Sequence, residues 1–198
     1  MTSEYITGYH FTGPTLRNGD AIPPLGVWIT CSGPIKPCEN GLHASEHPFD
    51  ALNYAPGNLL HRVELRGDLV SNGNPVDKWA GRERRITASI NAAPLLREFV
   101  RWCARSVLHL WTAPDVVRRY LETGDESLRA AARDVARDSA RDSTWDAAWD
   151  SVWDAARDAA WDSARDAAYA GAMDAQRTEF ARVMRQTFTT TKETEGLV

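Results

Sequence analysis

Trp145-Asp146-Ala147-Ala148, Trp149-Asp150-Ser151-Val152 and Trp153-Asp154-Ala155-Ala156 repeat a four-residue unit: a large or basic residue, aspartate, and two small residues. The unit begins upstream at Arg133-Asp134-Val135-Ala136 and Arg137-Asp138-Ser139-Ala140. It continues through Arg157-Asp158, Trp161-Asp162 and Arg165-Asp166 and blurs at Tyr169 and Gly171. No proline follows Pro114, and Ala, Arg and Trp dominate, so the spacing predicts a long helix over 125–186. At ~1.5 Å per residue such a helix extends about 90 Å. A period of four drifts roughly 40° per step on a helix with 3.6 residues per turn. Trp145, Trp149 and Trp153 then form a tilted aromatic ridge, with Trp161 further round the helix.

The charges in this segment tolerate one another. Asp134 and Arg137, Asp138 and Arg141, Asp154 and Arg157, and Asp162 and Arg165 stand at i,i+3, worth a few tenths of a kcal/mol each. An exposed tryptophan ridge is a poor surface for a soluble monomer. The small Ala and Ser positions admit a close second helix. The expected role is oligomerisation, most simply with another copy of the chain, and a period above 3.6 favours right-handed winding or steep crossing. Interleaved arginines cancel much of the field that a DNA mimic would need. Aspartate on nearly every turn argues against a membrane-surface helix.

The whole chain has 198 residues, a formal net charge of −4 and a pI of about 5.7. That size suits one or two small domains, and the charge gives no global basic surface for nucleic acid. No run is long and apolar enough to span a bilayer, and Met1-Thr2-Ser3-Glu4-Tyr5 does not open a secretory signal. Cys31, Cys38 and Cys103 form no disulfide framework. A cytoplasmic setting in the host cell is expected, without a membrane partner.

Residues 1–91 hold most of the prolines and glycines, with short apolar runs between turn signals such as Asn18-Gly19-Asp20, Ser32-Gly33-Pro34 and Asn72-Gly73-Asn74. They read as a small, mainly β head domain with strands near Tyr5–Phe11, Gly26–Cys31, Gly41–Ala44, Leu59–Gly67 and Arg84–Ile90. Pro48 to Ala55 reads as a short helix capped by Ser45 or His47. Residues 92–124 read as connecting helices: one amphipathic and carrying Trp102 and Cys103, the next opened by Pro114 and stopped by Gly124. Asp125 or Ser127 would then cap the repeat helix, and 187–198 would be a flexible tail. The fold class is α+β.

Candidate chemistry lies in the head. Cys31, Cys38, His43 and His47 have metal-binding atoms, but C-x6-C-x4-H-x3-H fits no common structural zinc site, and no metal is expected. His61 beside Glu64 reads as an exposed strand-edge feature. A purely structural role for His10, His43, Asp50 and Tyr54, with Asp50 capping its helix, is the plain alternative to a site.

Tyr9-His10, Gly41-Leu42-His43-Ala44-Ser45, Pro48 to Ala55 and Arg62-Val63-Glu64-Leu65 follow one another in an order that resembles the ADP-ribosyltransferase-like fold. The likeness covers about residues 5–90. It implies that His10 holds a ribose hydroxyl and that His43, standing where the family has tyrosine, stacks on a nicotinamide or purine ring. No catalytic glutamate emerges clearly; Glu64 and Glu83 are the candidates beside His10. A second resemblance rests on Cys38-Glu39-Asn40-Gly41-Leu42-His43-Ala44-Ser45, then Pro48-x-Asp50-x-Leu52-x-Tyr54, Val63-Glu64-x-x-Gly67 and Asp77-Lys78. This series looks like an uncharacterised domain of phages and prophages that often precedes a low-complexity repeat. It implies a phage origin and a head-plus-repeat plan.

The leading expectation is a phage-type accessory protein that binds a nucleotide-like ligand or inhibits a host defence factor without catalysis. NAD, ADP-ribose and cyclic nucleotides are the ligand classes considered. His10, His43 and Tyr54 would line the site, and Arg17, Lys78, Arg82, Arg84 and Arg85 would supply phosphate contacts. The alternatives are an active ADP-ribosyltransferase on a host macromolecule, and an inhibitor or adaptor that meets its partner through Trp145, Trp149, Trp153 and Trp161.

Overall fold

Leu60-His61-Arg62-Val63-Glu64-Leu65 alternates as a strand should, and in the computed structural model it lies in a central one. The structure describes residues 5–106, 108–110, 112–136 and 173–188. It confirms the α+β class: antiparallel sheets over the N-terminal half, then helices. One sheet has the order β1-β4-β7-β2, formed by Ile6–Thr12, Leu59–Arg66, Glu83–Asn91 and Trp28–Thr30. A smaller sheet has the order β3-β6-β5, from Leu42–Ala44, Lys78–Gly81 and Val70–Asn72. Strands β5 and β6 were not expected; each is short and sits in a turn-rich stretch where alternation has little length to show itself.

The two sheets meet along a shared apolar core of Ala44, Val63, Leu65 and Ile86, with Ile22, Leu42, Leu69 and Trp79 around it. A backbone bridge between Tyr9 and Ser45 draws β1 against the end of β3. Gly8 makes that approach possible, because a Cβ there would stand 2.7 Å from the Ser45 carbonyl oxygen. Along β4 and β7 the register slips at Arg62/Val63, so that Ala88 faces Arg62 while Ile86 faces Val63. Thr87 is the extra residue, and its hydroxyl donates to the Arg62 carbonyl. This bulge reverses the side-chain parity of β7. It puts Arg84, Ile86 and Ser89 on the same face, the face that also carries His10 and His61.

The first compact unit consists of residues 1–95 together with 177–198. Residues 173–188 are helical, and Phe180, Ala181, Met184 and Phe188 form a buried stripe at helical spacing. Phe180 meets Phe49 edge-on, Phe188 packs against Tyr9, and the Arg177 guanidinium grips both oxygens of Asp50. The expected boundary between a helix ending at 186 and a tail from 187 falls inside this helix, which continues to residue 188. Residues 177–188 complete the head core, because their apolar stripe finds its partners there. Asp50 is corrected too: it is the ion-pair partner of Arg177, while the cap of α1 (Pro48–Leu52) is His47, whose Nδ1 accepts from Phe49 N–H. Helix α1 is shorter than expected and leaves Tyr54 in the turn after it.

The second unit, residues 96–176, contains most of α2 (Ala93–Ser106) and all of α3 (Asp115–Thr123). Ala113, Val117, Leu121 and Ala132 are its buried centre. Gly124 ends α3 in the left-handed region at φ 68°, with the Arg101 guanidinium where a Cβ would point. Asp125 caps a single 3-10 turn over Glu126–Leu128, and residues 129–136 are helical. Trp102 is half-buried and stacks on Phe99. The Trp145–Trp149–Trp153–Trp161 ridge, and with it the oligomer contact expected there, lies outside the described residues. Among the described residues no helix is long and apolar enough to cross a membrane.

Candidate functional site

His10 and His61 stand opposite one another on β1 and β4, on the core-facing side of the larger sheet. His61 is only 1 % exposed and belongs to a central strand, so the strand-edge expectation is corrected. Its ring is fully engaged: Nε2 lies 2.8 Å from Thr12 Oγ1 and Nδ1 lies 2.7 Å from Ser89 Oγ. The Thr12 hydroxyl donates its proton to the Gly13 carbonyl. Nε2–H must then be the donor to Thr12, and Nδ1 accepts from Ser89. Burial, with the nearby Arg84 charge, lowers the His61 pKa to about 4. His10 is held well below the ordinary histidine value by burial first, then by the charges of Arg84, His61, His43 and Arg17 around it. Its ring makes no hydrogen bond among the described residues.

His43 enters from β3. Its Nε2 accepts from the Cys38 backbone N–H at 3.3 Å, and its own carbonyl accepts from Arg84 NH1 at 2.7 Å. Burial first, then the Lys78 and Arg84 charges, pull its pKa down to about 4. Near neutral pH the three histidines are uncharged hydrogen-bonding groups.

Arg84 is the unusual member. It is 4 % exposed, and no carboxylate partners it among the described residues; its Nε–H is buried with no acceptor. Burial pulls even this guanidinium down to about 10. Lys78 is also buried and has no carboxylate partner among the described residues. Its ammonium sits 3.1 Å from Cys38 Sγ and 3.9 Å from the centre of the Tyr54 ring. Cys38 holds a left-handed φ of 70°, which turns the loop so that its N–H meets His43 and its sulfur meets Lys78. Tyr54 O–H donates to Asp77 Oδ2 at 2.5 Å, and that bond is the main reason its phenol is pushed up to about 12. Arg17 reaches the Tyr54 carbonyl at 3.5 Å and stands close enough to His10 and His43 to lower both.

Of the residues singled out from sequence, His10, His43, Tyr54, Arg17, Lys78 and Arg84 thus come together. Residues 6–98 match a domain of unknown function (DUF7666). The match contains every member of this cluster and covers slightly under half of the chain. No curated protein and no solved structure matches.

The remaining candidates lie elsewhere. Glu64 and Glu83 project from the opposite face of the sheet and are held by Arg85 and Arg66. Both of those guanidinia also lie over the Trp28 ring, at 4.9 and 4.0 Å from its centre. Arg85 is therefore part of a separate cation–π cluster. Arg82 binds Asp68 and the carbonyls of Cys31 and Gly33, where it pins the loop after β2. None of these residues faces His10. Asp77, Cys38 and Thr12 are the members that sequence reasoning missed as site residues. The adjacency of Asp77 to Lys78 was the available signal.

Proposed function

We propose that the head unit binds an anionic, nucleotide-like ligand of the NAD, ADP-ribose or cyclic nucleotide class at this cluster, and does not turn it over. The observation that carries this reading is Arg84: a buried guanidinium that has no carboxylate partner, and whose Nε–H has no acceptor, among the described residues. A charge in that position is costly to hold unless something anionic compensates it. Arg17 and Lys78 add positive charge, while Tyr54, His10 and His43 offer ring surfaces and uncharged hydrogen-bonding groups of the kind a nucleoside uses. Binding without turnover is favoured because Glu64 and Glu83 are ion-paired on the other face, and the Asp77 carboxylate is tied through Oδ2 to the Tyr54 hydroxyl while its Oδ1 is buried. In the phage setting implied by the sequence resemblance, such a module would withhold a host signalling nucleotide.

The test is thermal denaturation of the full chain with NAD, ADP-ribose and cyclic nucleotides, with NAD loss followed in the same samples. A ligand at 100 times its dissociation constant adds ~2.7 kcal/mol of stability. Stabilisation that His10→Ala removes, with NAD intact, is expected. NAD consumption abolished by His10→Ala would replace binding with catalysis.

A further inference from the structure

Arg84 and Lys78 flank the same residue from two sides. Arg84 holds the His43 carbonyl, and Lys78 lies against Cys38, whose N–H holds the His43 ring. Both are buried, and neither has a carboxylate among the described residues. Arg17 adds a third positive charge close to His10 and His43, and Asp77 is the part-buried acid of the cluster, its Oδ2 bonded to Tyr54 and its Oδ1 buried without a donor among the described residues. Counting Arg17, Lys78 and Arg84 against Asp77 leaves an excess of two positive charges, since the histidines are uncharged near neutral pH.

We propose that this site selects ligands by charge: it takes a dianionic phosphate group and discriminates against a monoanionic phosphodiester. The group can be the pyrophosphate diester of an ADP-ribose-type molecule or the terminal monoester of a nucleoside monophosphate. The proposal rests on the ligand-binding reading above and narrows it, because a cyclic nucleotide carries one negative charge where the site offers two buried cations. Arg84 supplies the free Nε–H and a planar fork suited to phosphate oxygens. Lys78 supplies a point charge that turns from the Cys38 sulfur to the phosphate. Cys38 is exposed, whereas Cys31 and Cys103 are part-buried, so its alkylation rate reports where the Lys78 ammonium is engaged.

The experiment is titration calorimetry on the full chain at pH 7.5 with ADP-ribose, AMP, cyclic AMP, adenosine and inorganic pyrophosphate. Iodoacetamide labelling of Cys38 is followed by mass spectrometry in parallel. ADP-ribose, AMP or both should bind at least tenfold more tightly than cyclic AMP and slow Cys38 labelling at least threefold. Arg84→Met and Lys78→Met should each weaken that binding at least tenfold and flatten its salt dependence. Comparing ADP-ribose with AMP tells the pyrophosphate from the monoester. Cyclic AMP binding as tightly as AMP and ADP-ribose would overturn the charge selection and leave the nucleotide reading intact. Inorganic pyrophosphate is a more highly charged anion at this pH, and its binding alone would overturn both the dianion selection and the nucleotide reading. If nothing in the panel binds, both fall. Should either variant fail to fold, the ligand series and the labelling on the unaltered chain decide the matter.

Discussion

Arg84 is held on the core face by its bond to the His43 carbonyl, and it bears the cost of burial without a carboxylate in return. Replacing it with Met removes the buried charge at similar length. The lost hydrogen bond and the relieved desolvation then oppose one another. Arg84→Met should leave the ligand-free stability within about 1 kcal/mol of the original by urea denaturation, while the stabilisation by ADP-ribose or AMP disappears. A loss of several kcal/mol would instead make Arg84 a structural residue. The histidines make a second prediction. His43 and His61 titrate near 4 in the fold against an ordinary value of 6.5, and His10 is also well below 6.5. Between those values the unfolded chain binds more protons than the folded one, so stability falls as pH drops from 6.5 towards 4 and is level above. Each histidine contributes at most ~1.4 kcal/mol per pH unit, and half-buried His43 less. The urea midpoint at pH 7.5, 5.5 and 4.5 should decline in that order, with a shallower decline in His61→Asn. An equal slope in His10→Asn, His43→Asn and His61→Asn would assign the linkage to other groups.

At the scale of elements, α1 is fixed to the 173–188 helix by the Asp50–Arg177 pair, and its following turn presents Tyr54 to the site. The Asp50 side chain is 10 % exposed and that of Arg177 37 %. Arg177→Met strands a nearly buried carboxylate and should cost roughly 1–3 kcal/mol, below the full value of a buried pair because the guanidinium is partly solvated. Asp50→Asn should cost less, and the double variant should recover part of the sum in a double-mutant cycle. Strict additivity would mean the pair contributes nothing. Strands β1, β4 and β7 were legible in the sequence because Tyr5–Phe11, Leu59–Gly67 and Arg84–Ile90 are long enough to show a period of two. The bulge at Thr87 was not, since one inserted residue reverses every later side chain without altering composition, and it is the bulge that seats Ser89 opposite His61. The cluster of His10, His43, Tyr54, Arg17, Lys78 and Arg84 could be named from sequence but not told from Arg82 and Arg85. Near-adjacent arginines look alike until strand parity sends Arg84 inward and Arg85 to Trp28. The stripe Phe180-Ala181-Met184-Phe188 did carry a helical signal, masked by the stronger tetrad period before it.

The whole chain leaves the head after Leu95 and returns to it at Arg177, so residues 96–176 are an insertion between two segments of one compact unit. The segments meet across a separation of 127 residues at Asp50 and Arg177. The head core is consequently incomplete until the end of this stretch is present, and closing so long a loop makes the contact late in folding. Phe180 and Met184 are completely buried, and Phe188 nearly so. Truncating a buried phenylalanine typically costs ~3–5 kcal/mol, a large share of the ~5–15 kcal/mol that stabilises a domain. Phe180→Ala should lower the urea midpoint accordingly. A chain stopped after Gln176 loses the entire stripe and the Asp50 partner together. It should lose the cooperative thermal transition and the near-ultraviolet dichroism of the packed aromatics, and with them AMP or ADP-ribose binding, although the cluster residues are all present. A synthetic peptide of residues 177–198, added in trans, should restore part of the signal in proportion to its concentration, as mass action requires. A truncated chain that melts cooperatively within a few degrees of the full one would show that the sheets stand alone. The returning helix would then be an addition to the head and not a part of its core.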